Sequence, residues 1–442
     1  MRVKSTLAII VFILTSQTGA AAESRLYTLQ GAYDAALAES EIIKLSEENA
    51  LQAESRVDQA LSNAYPRLTA GAAYTRFNEM LPPGGGSFLF QPLEQANASL
   101  ILKQPLYTGG RTLAAWRAAK TFREISKKDF STTKQAVMLG VAEAYYAVVK
   151  AKKQAEVGRK ALERMERHKK VTEREAATRK NKANLSALLR ANTLVNQARI
   201  ALVRVEDGLV LAKNKLSLVA KLPKDIELAE PDELPAPQGT MASLEEAALI
   251  NRDDYTSSQM NRKVVEEFVA ITKGAHHPQI YAEGGVTYQD SHPATALDAT
   301  VYYGGIRLQV PIFEGGLMKA EVAEARSKQR QAEFSTVLLR RQIESEVQEA
   351  YTTYQTASSV LETAKLLLED ARKNFDTVEG LFSEGLVQSL SLIDAETALS
   401  SAEKELISTT WDRQLAILRL EKSIGLLGKN EKARTKENEE TR

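Results

Sequence analysis

No cysteine occurs in the 442 residues. That excludes disulfides, thiolate chemistry, Cys-based metal sites and the thiol that accepts a lipid on a mature N-terminus, so any membrane attachment has to come from folded structure. Aromatic residues are scarce at 6% against 26% charged residues, a balance that suits long exposed helices better than a compact enzyme. A surplus of one charge is also missing, with 58 basic against 57 acidic residues, so no overall field draws nucleic acid or an anionic surface. Beyond the first residues no apolar run approaches the roughly eighteen residues of a spanning helix, and a membrane role therefore requires β-strands.

Proline is absent from two long regions, 106–222 and 312–442, although the chain has twelve. Because proline is the strongest breaker of helix interiors and both regions are rich in Ala, Leu, Glu, Lys, Arg and Gln, each reads as a helical body. Catalytic constellations are lacking too. His276 and His277 are neighbours in an extended segment and point to opposite faces, a poor joint metal site, while His168 and His292 stand apart. Gly84, Gly85 and Gly86 follow two prolines and lack the Lys-Ser/Thr of a phosphate loop, so they mark a loop tip. No enzyme activity and no cofactor are expected.

What is present begins with an export signal. Arg2 and Lys4 precede an apolar run over 7–14, and Ala20, Ala21 and Ala22 offer a cleavage site before Glu23. Eight apolar residues cover only about 12 Å as helix, far short of the roughly 30 Å hydrocarbon core, so residues 1–22 read as a signal peptide rather than an anchor.

The rest of the chain contains one unit twice. Pro105, Gly109 and Gly110 recur as Pro311, Gly315 and Gly316, and at the same offset Val137, Val141, Ala144, Tyr145 and Val148 recur as Ile343, Val347, Ala350, Tyr351 and Tyr354. Their i, i+4, i+7, i+8, i+11 spacing is one face of a helix. The pattern divides the chain into repeat 1 (23–222), a proline-rich linker (223–242), repeat 2 (243–427) and a disordered charged tail (428–442).

An unbroken helix from 317 to about 384 would reach about 100 Å, and 386–427 would return about 60 Å. The turn between them falls at Gly385, where glycine takes the left-handed conformation that ends helices. The matching turn of the first half falls near Asn181. Single shorter helices are expected over about 29–63 and 244–273. Each is followed by two strand-like segments of about ten residues with unlike faces, near 66–77, 97–103, 280–288 and 306–310, joined by exposed loops over 78–94 and 290–298.

Ten-residue strands are long enough to cross a bilayer when tilted. Four of them cannot close a barrel, and open edges are not tolerated in hydrocarbon, so strands must be pooled between copies. A soluble α+β protein with two small sheets and a coiled coil is the plainer reading of the same alternation.

On these features the chain resembles the TolC-like outer-membrane efflux family. The resemblance runs from Tyr27 to Leu427 and is carried by the Tyr65-Pro66 and His277-Pro278 strand starts, the turns at Pro105 and Pro311, and the helix start from Leu386 to Glu396. It implies an α+β membrane protein: a trimeric 12-stranded β-barrel, four strands per chain, continued by a long α-helical barrel through the periplasm. The implied function is passive efflux or type I secretion. The implied partners are two further copies (a homotrimer), outer-membrane lipid, a periplasmic adaptor and an inner-membrane transporter that supplies the energy, with no nucleic acid. A secreted or periplasmic coiled-coil interaction or adaptor protein is the alternative, though an adaptor hairpin would lack the duplicated strand pair.

The resemblance also places a pore constriction just after the second long turn, at Asp394 and Ser391, and an adaptor contact at Asn181, Lys182, Gly385, Leu386 and Val387. For Asp394 the ordinary reading is an exposed helix residue, and for Gly385 simple helix termination. Charge adds a separate expectation. Residues 159–182 hold ten basic and four acidic residues while 363–386 hold three and five, so the tips differ in sign and Arg190 could pair with Asp394. The plain alternative is a solvated face of little worth.

Overall fold

The duplication appears in the order of the elements. The computed structural model describes residues 26–79, 92–178, 182–292 and 298–429. Its first half runs β1 (Leu26–Tyr27), α1 (Leu29–Glu39), α2 (Glu41–Ser62), β2 (Arg67–Arg76), β3 (Glu94–Tyr107), α3 (Arg111–Thr178) and α4 (Lys182–Ala220). The second half repeats the series as β4 (Glu227–Leu228), α5 (Met241–Asn251), α6 (Asp253–Gly274), β5 (Gln279–His292), β6 (Ala299–Gln309), α7 (Leu317–Ser383) and α8 (Ser389–Ser423).

Helices α3 and α7 hold 68 and 67 residues, about 100 Å each, and set the length of the helical layer. Shorter helices lie alongside them: α2 and α4 pack on α3, α6 packs on both α3 and α7, and α8 does the same. The layer is thus four columns wide, in the order α2 with α4, α3, α6 with α8, then α7. Among the described residues no helix is long and apolar enough to cross a membrane.

The single helices expected over 29–63 and 244–273 are each two helices. Ser40 and Arg252 stand in extended backbone at the breaks (φ −64, ψ 128 and φ −74, ψ 120). Neither proline nor glycine marks these sites. The second break is held by tertiary contacts, because the buried Arg252 guanidinium binds Asp254 at 2.7 Å, Glu346 at 2.5 Å and the Ser423 carbonyl at 3.3 Å. The breaks let α1 and α5 turn away while α2 and α6 follow the long columns.

Three further lengths differ from expectation. Strands β3 and β5 hold 14 residues each, and β5 runs to His292, into the segment read as a loop from 290. Helix α8 spans 389–423 rather than 386–427, and Leu427 turns back into the core at 2% exposure. Residues 1–25, with the signal segment, lie outside the described residues, as do 80–91 with the three-glycine run, 179–181 with Asn181, 293–297 and the tail from 430.

The largest core forms a belt halfway along the columns. Tyr33, Tyr145, Leu216 and Leu418 are fully buried there, drawn from α1, α3, α4 and α8. A parallel bridge between β1 and β4 crosses this belt and ties the linker to the N-terminal segment. The Tyr145 hydroxyl lies 2.9 Å from the Tyr27 carbonyl and 2.6 Å from that of Ala229, and burial pushes its pKa up to about 12. Tyr145→Phe should lower stability by about 1–2 kcal/mol, read as a fall in the thermal unfolding midpoint, because it takes the hydroxyl donor from the part-buried Ala229 carbonyl, while the Tyr27 carbonyl keeps the Ala229 amide. An unchanged midpoint would mean that water replaces the hydroxyl.

The four long strands form one antiparallel sheet in the order β2-β3-β5-β6, with β2 and β6 as open edges. Register sets its faces, since directly paired residues share a side. One face carries Leu68, Ala70, Leu100, Leu102, Val286, Tyr302, Ile306 and Leu308. The other carries Arg67, Thr69, Ser99, Lys103, Glu283, Thr287 and Arg307, with Ile101 and Tyr303 among them. An apolar side opposite a mainly polar one is what a wall between lipid and water requires.

Candidate functional site at the helix tips

The end of the helical layer far from the sheet is where the expected site residues fall. Helix α7 stops because Gly385 adopts φ 74, and the Gly385 and Leu386 amides donate back to the Phe382 and Leu381 carbonyls at 3.0 and 2.9 Å. This closed turn satisfies carbonyls that would otherwise lack partners. It leaves Leu386 at 67% exposure and Val387 half-buried, so an apolar side chain stands at the tip. Lys182, exposed, opens α4 of the other hairpin, while Asn181 lies outside the described residues.

Helix α8 has two unlike faces. Ser391, Asp394, Thr397 and Ala398 are exposed along one side, and Leu392, Ile393, Ala395, Glu396 and Leu399 are buried along the other. Asp394 is thus free to face solvent or a second chain, on a side that the small residues Ser391 and Ala398 leave open one turn away in each direction. Arg190 is exposed on α4, and among the described residues no ion pair joins it to Asp394 within the chain. The physical reason is packing order, because α3 stands between α4 and α8.

The structure puts a different charge cluster at this end. Arg164 of α3 reaches across to α8, binding the Glu396 carboxylate at 2.7 Å and Glu403 at 3.2 Å, with Ser400 at 3.3 Å. The side chains of Arg164, Glu396 and Glu403 are only 15%, 4% and 14% exposed. Burial pushes the Glu396 carboxyl above the usual carboxylate range even though the Arg164 guanidinium opposes that shift. One turn on, His168 Nε2 lies 2.8 Å from the Ser389 hydroxyl and its ring packs 5.3 Å from that of Phe382.

Between α3, α7 and α8, Arg164, His168 and Glu396 border a cavity of about 320 Å³ that Val171, Phe375, Phe382 and Leu392 also line. It ties the second hairpin to α3 near the tip. The signal in the sequence was slight: Glu396 ends the run from Leu386, but its partner lies 232 residues away. Among the described residues no group of three or more His, Asp or Glu is placed to hold a metal. The arrangement suits a latch between helices.

Comparison with known proteins matches the family described as "Outer membrane efflux protein" over residues 32–220 and 244–426. Among curated relatives, the probable outer membrane lipoprotein SilC of Salmonella typhimurium is 23% identical over 387 residues, covering 82% of this chain and 78% of its own. Outer membrane protein TolC of Escherichia coli (strain K12) is 22% identical over 447 residues, covering 95% and 87%. Among solved structures, the outer membrane protein VceC of Vibrio cholerae superposes with a TM-score of 0.77 at 16% identity, covering 90% of this chain and 96% of that one.

Proposed function

The chain belongs to the outer membrane efflux protein family, and from that premise we propose how it builds a passive export duct. It is an outer-membrane channel whose helical part extends into the periplasm, and a conduit rather than an enzyme. Three copies pool their four-stranded sheets into a 12-stranded barrel, and their helical columns close into a tunnel below it. Repeats 23–222 and 243–427 act as equivalent wall segments on either side of the linker 223–242, after removal of 1–22.

The observation that carries this reading is an unmet contact. Within the chain, the turn at Gly109 packs against the end of α6 at Gly274. By the duplication, the turn at Gly315 should pack against the end of α2 near Ser62, yet nothing lies within 4 Å of where a Gly315 side chain would start. A second copy supplies that missing neighbour. The same edges are apolar and uncovered, with Phe334, Val337 and Leu338 exposed on α7 and Leu211 and Leu218 on α4. Strand edges β2 and β6 are open on the same two sides, and hydrocarbon does not tolerate open edges.

The complete lack of native cysteine makes a direct test simple. Asn63→Cys with Glu314→Cys in one chain should give a disulfide ladder ending at three chains. Monomer alone, both in detergent and on the gel, would sink the reading.

At the periplasmic end, Asp394 and Ser391 from three copies frame the constriction, whose carboxylate ring concentrates cations. Because α7 also separates α8 from the next copy's α4, Arg190 would meet Asp394 only across the narrowed lumen, from one copy to another, and there hold that ring shut. Leu386, Val387 and Gly385, with Lys182 and Asn181 of the other hairpin, form the contact for a periplasmic adaptor, which links the duct to an energised inner-membrane transporter for efflux or type I secretion. Support for this comes from the exposed Leu386 on a rigid turn and from relatives that bear efflux names, such as the cation efflux system protein CusC of Escherichia coli (strain K12).

A further inference from the structure

The polar face of the sheet is not neutral. Along the residues that share this face in β2, β3, β5 and β6, the bases are Arg67, Lys103 and Arg307 and the acid is Glu283. All four sit at the helix-proximal end of the strands. Arg67 pairs in register with Lys103, Lys103 with Glu283, and Arg307 with Tyr281. Glu283 is already engaged, 3.6 Å from Arg307. Lys103 Nζ lies 4.2 Å from the centre of the Tyr281 ring, which holds the ammonium in place without cancelling its charge. Among the described residues neither Arg67 nor Lys103 has an acid within ion-pair distance.

Directly below, where the sheet meets the helices, a cavity of about 410 Å³ is lined by Arg67, Lys103 and Arg111, with Gln279, Tyr281 and Thr112. Its lining includes no carboxylate. The charge is therefore lopsided at one height of the wall, in a chain whose total is balanced to +1.

We propose that this row is an anion-attracting belt at the base of the barrel, in series with the Asp394 ring at the far tip, and that it locally concentrates small solutes carrying two or more negative charges. The proposal rests on the trimeric channel reading above, which turns the polar face inward. Three bases against one acid leave a surplus of two per chain and six around a ring of three. Twelve strands about 4.8 Å apart and tilted about 40° close to a radius of about 12 Å. Screening acts over about 10 Å at 0.1 M salt but about 3 Å at 1 M, so the belt's field reaches the axis only in dilute salt. Charge focused in a low-dielectric wall raises the local concentration of counter-ions, here anions.

The test is reversal potential of the full-length protein in planar bilayers under a KCl gradient. In about 0.1 M salt, R67Q/K103Q/R307Q should lower the chloride-to-potassium permeability ratio about twofold or more, and Glu283→Gln should raise it. Both shifts should fade at 1 M. Inorganic tripolyphosphate added on the barrel side should block the wild-type current and not that of the triple variant. The trimer mass of each variant in detergent establishes that it is assembled. An assembled triple variant with the wild-type ratio and the wild-type block overturns the belt while leaving the channel intact. Failure of the wild-type protein to form channels would instead remove the channel reading, and the belt with it.

Discussion

Gly109→Val should abolish accumulation of folded protein in the outer membrane. Gly109 has φ +68, a conformation that costs a side-chain-bearing residue about 1–2 kcal/mol and a β-branched one more. A side chain there would also overlap the carbonyl oxygen of Gly274 and stand 2.9 Å from the His277 Cβ. The approach is mutual, since a Cβ on Gly274 would lie 2.5 Å from the Gly109 carbonyl oxygen. In both cases the atom met by the Cβ is a backbone oxygen, so no rotamer change relieves the overlap, and such overpacking adds about 1–3 kcal/mol.

Taken together the substitution costs roughly 3–5 kcal/mol, comparable with the whole margin of many domains. It strikes where β3 turns into α3, the joint between sheet and helical layer. The measurement is the amount of heat-resistant protein in the outer-membrane fraction, and a wild-type amount with an unshifted melting midpoint would refute the argument. Gly315→Ala adds a control. Its side chain meets nothing in one chain, so a loss beyond the backbone strain would place a neighbouring copy against it.

Arg164→Met should release the second hairpin tip from α3. The substitution keeps much of the side-chain volume but strands Glu396, 4% exposed, and Glu403 without their cation. Removing one partner of a buried pair costs about 3–5 kcal/mol, because a charge is left without compensation. Glu396→Gln should be far milder, under about 1.5 kcal/mol, since it mimics the neutral form that burial favours and leaves Arg164 bound to Glu403.

The contrast separates a charge effect from a packing effect. Amide exchange over 389–403 should speed up greatly in Arg164→Met while 343–351, in a separate core, keeps its protection. Equal behaviour of the two variants would show that the cluster only fills space.

Much of the fold was legible because its signals are local. Proline-free regions marked α3, α4, α7 and α8, alternation marked four strands, and a left-handed glycine marked the turn at 385. The break at Arg252 was not legible, since it depends on Glu346 and Ser423, far along the chain. The opposite charges of the two tips could be counted, but not which helices adjoin. That is why Arg190 and Asp394 could be named as opposite charges near the two tips, while the contact of Arg164 with Glu396 within the chain could not be foreseen.

By itself the sequence determined the duplication and the element types, because each follows from periodicity and from breakers. Only the tertiary structure decided which charges come together: Arg164 with Glu396 and Glu403 at the tip, and Arg67, Lys103 and Arg307 on one face at the helix-proximal end of the sheet. Coulomb and contact forces act through distance in space, and in a chain folded into columns of about 100 Å that distance bears little relation to separation along the sequence.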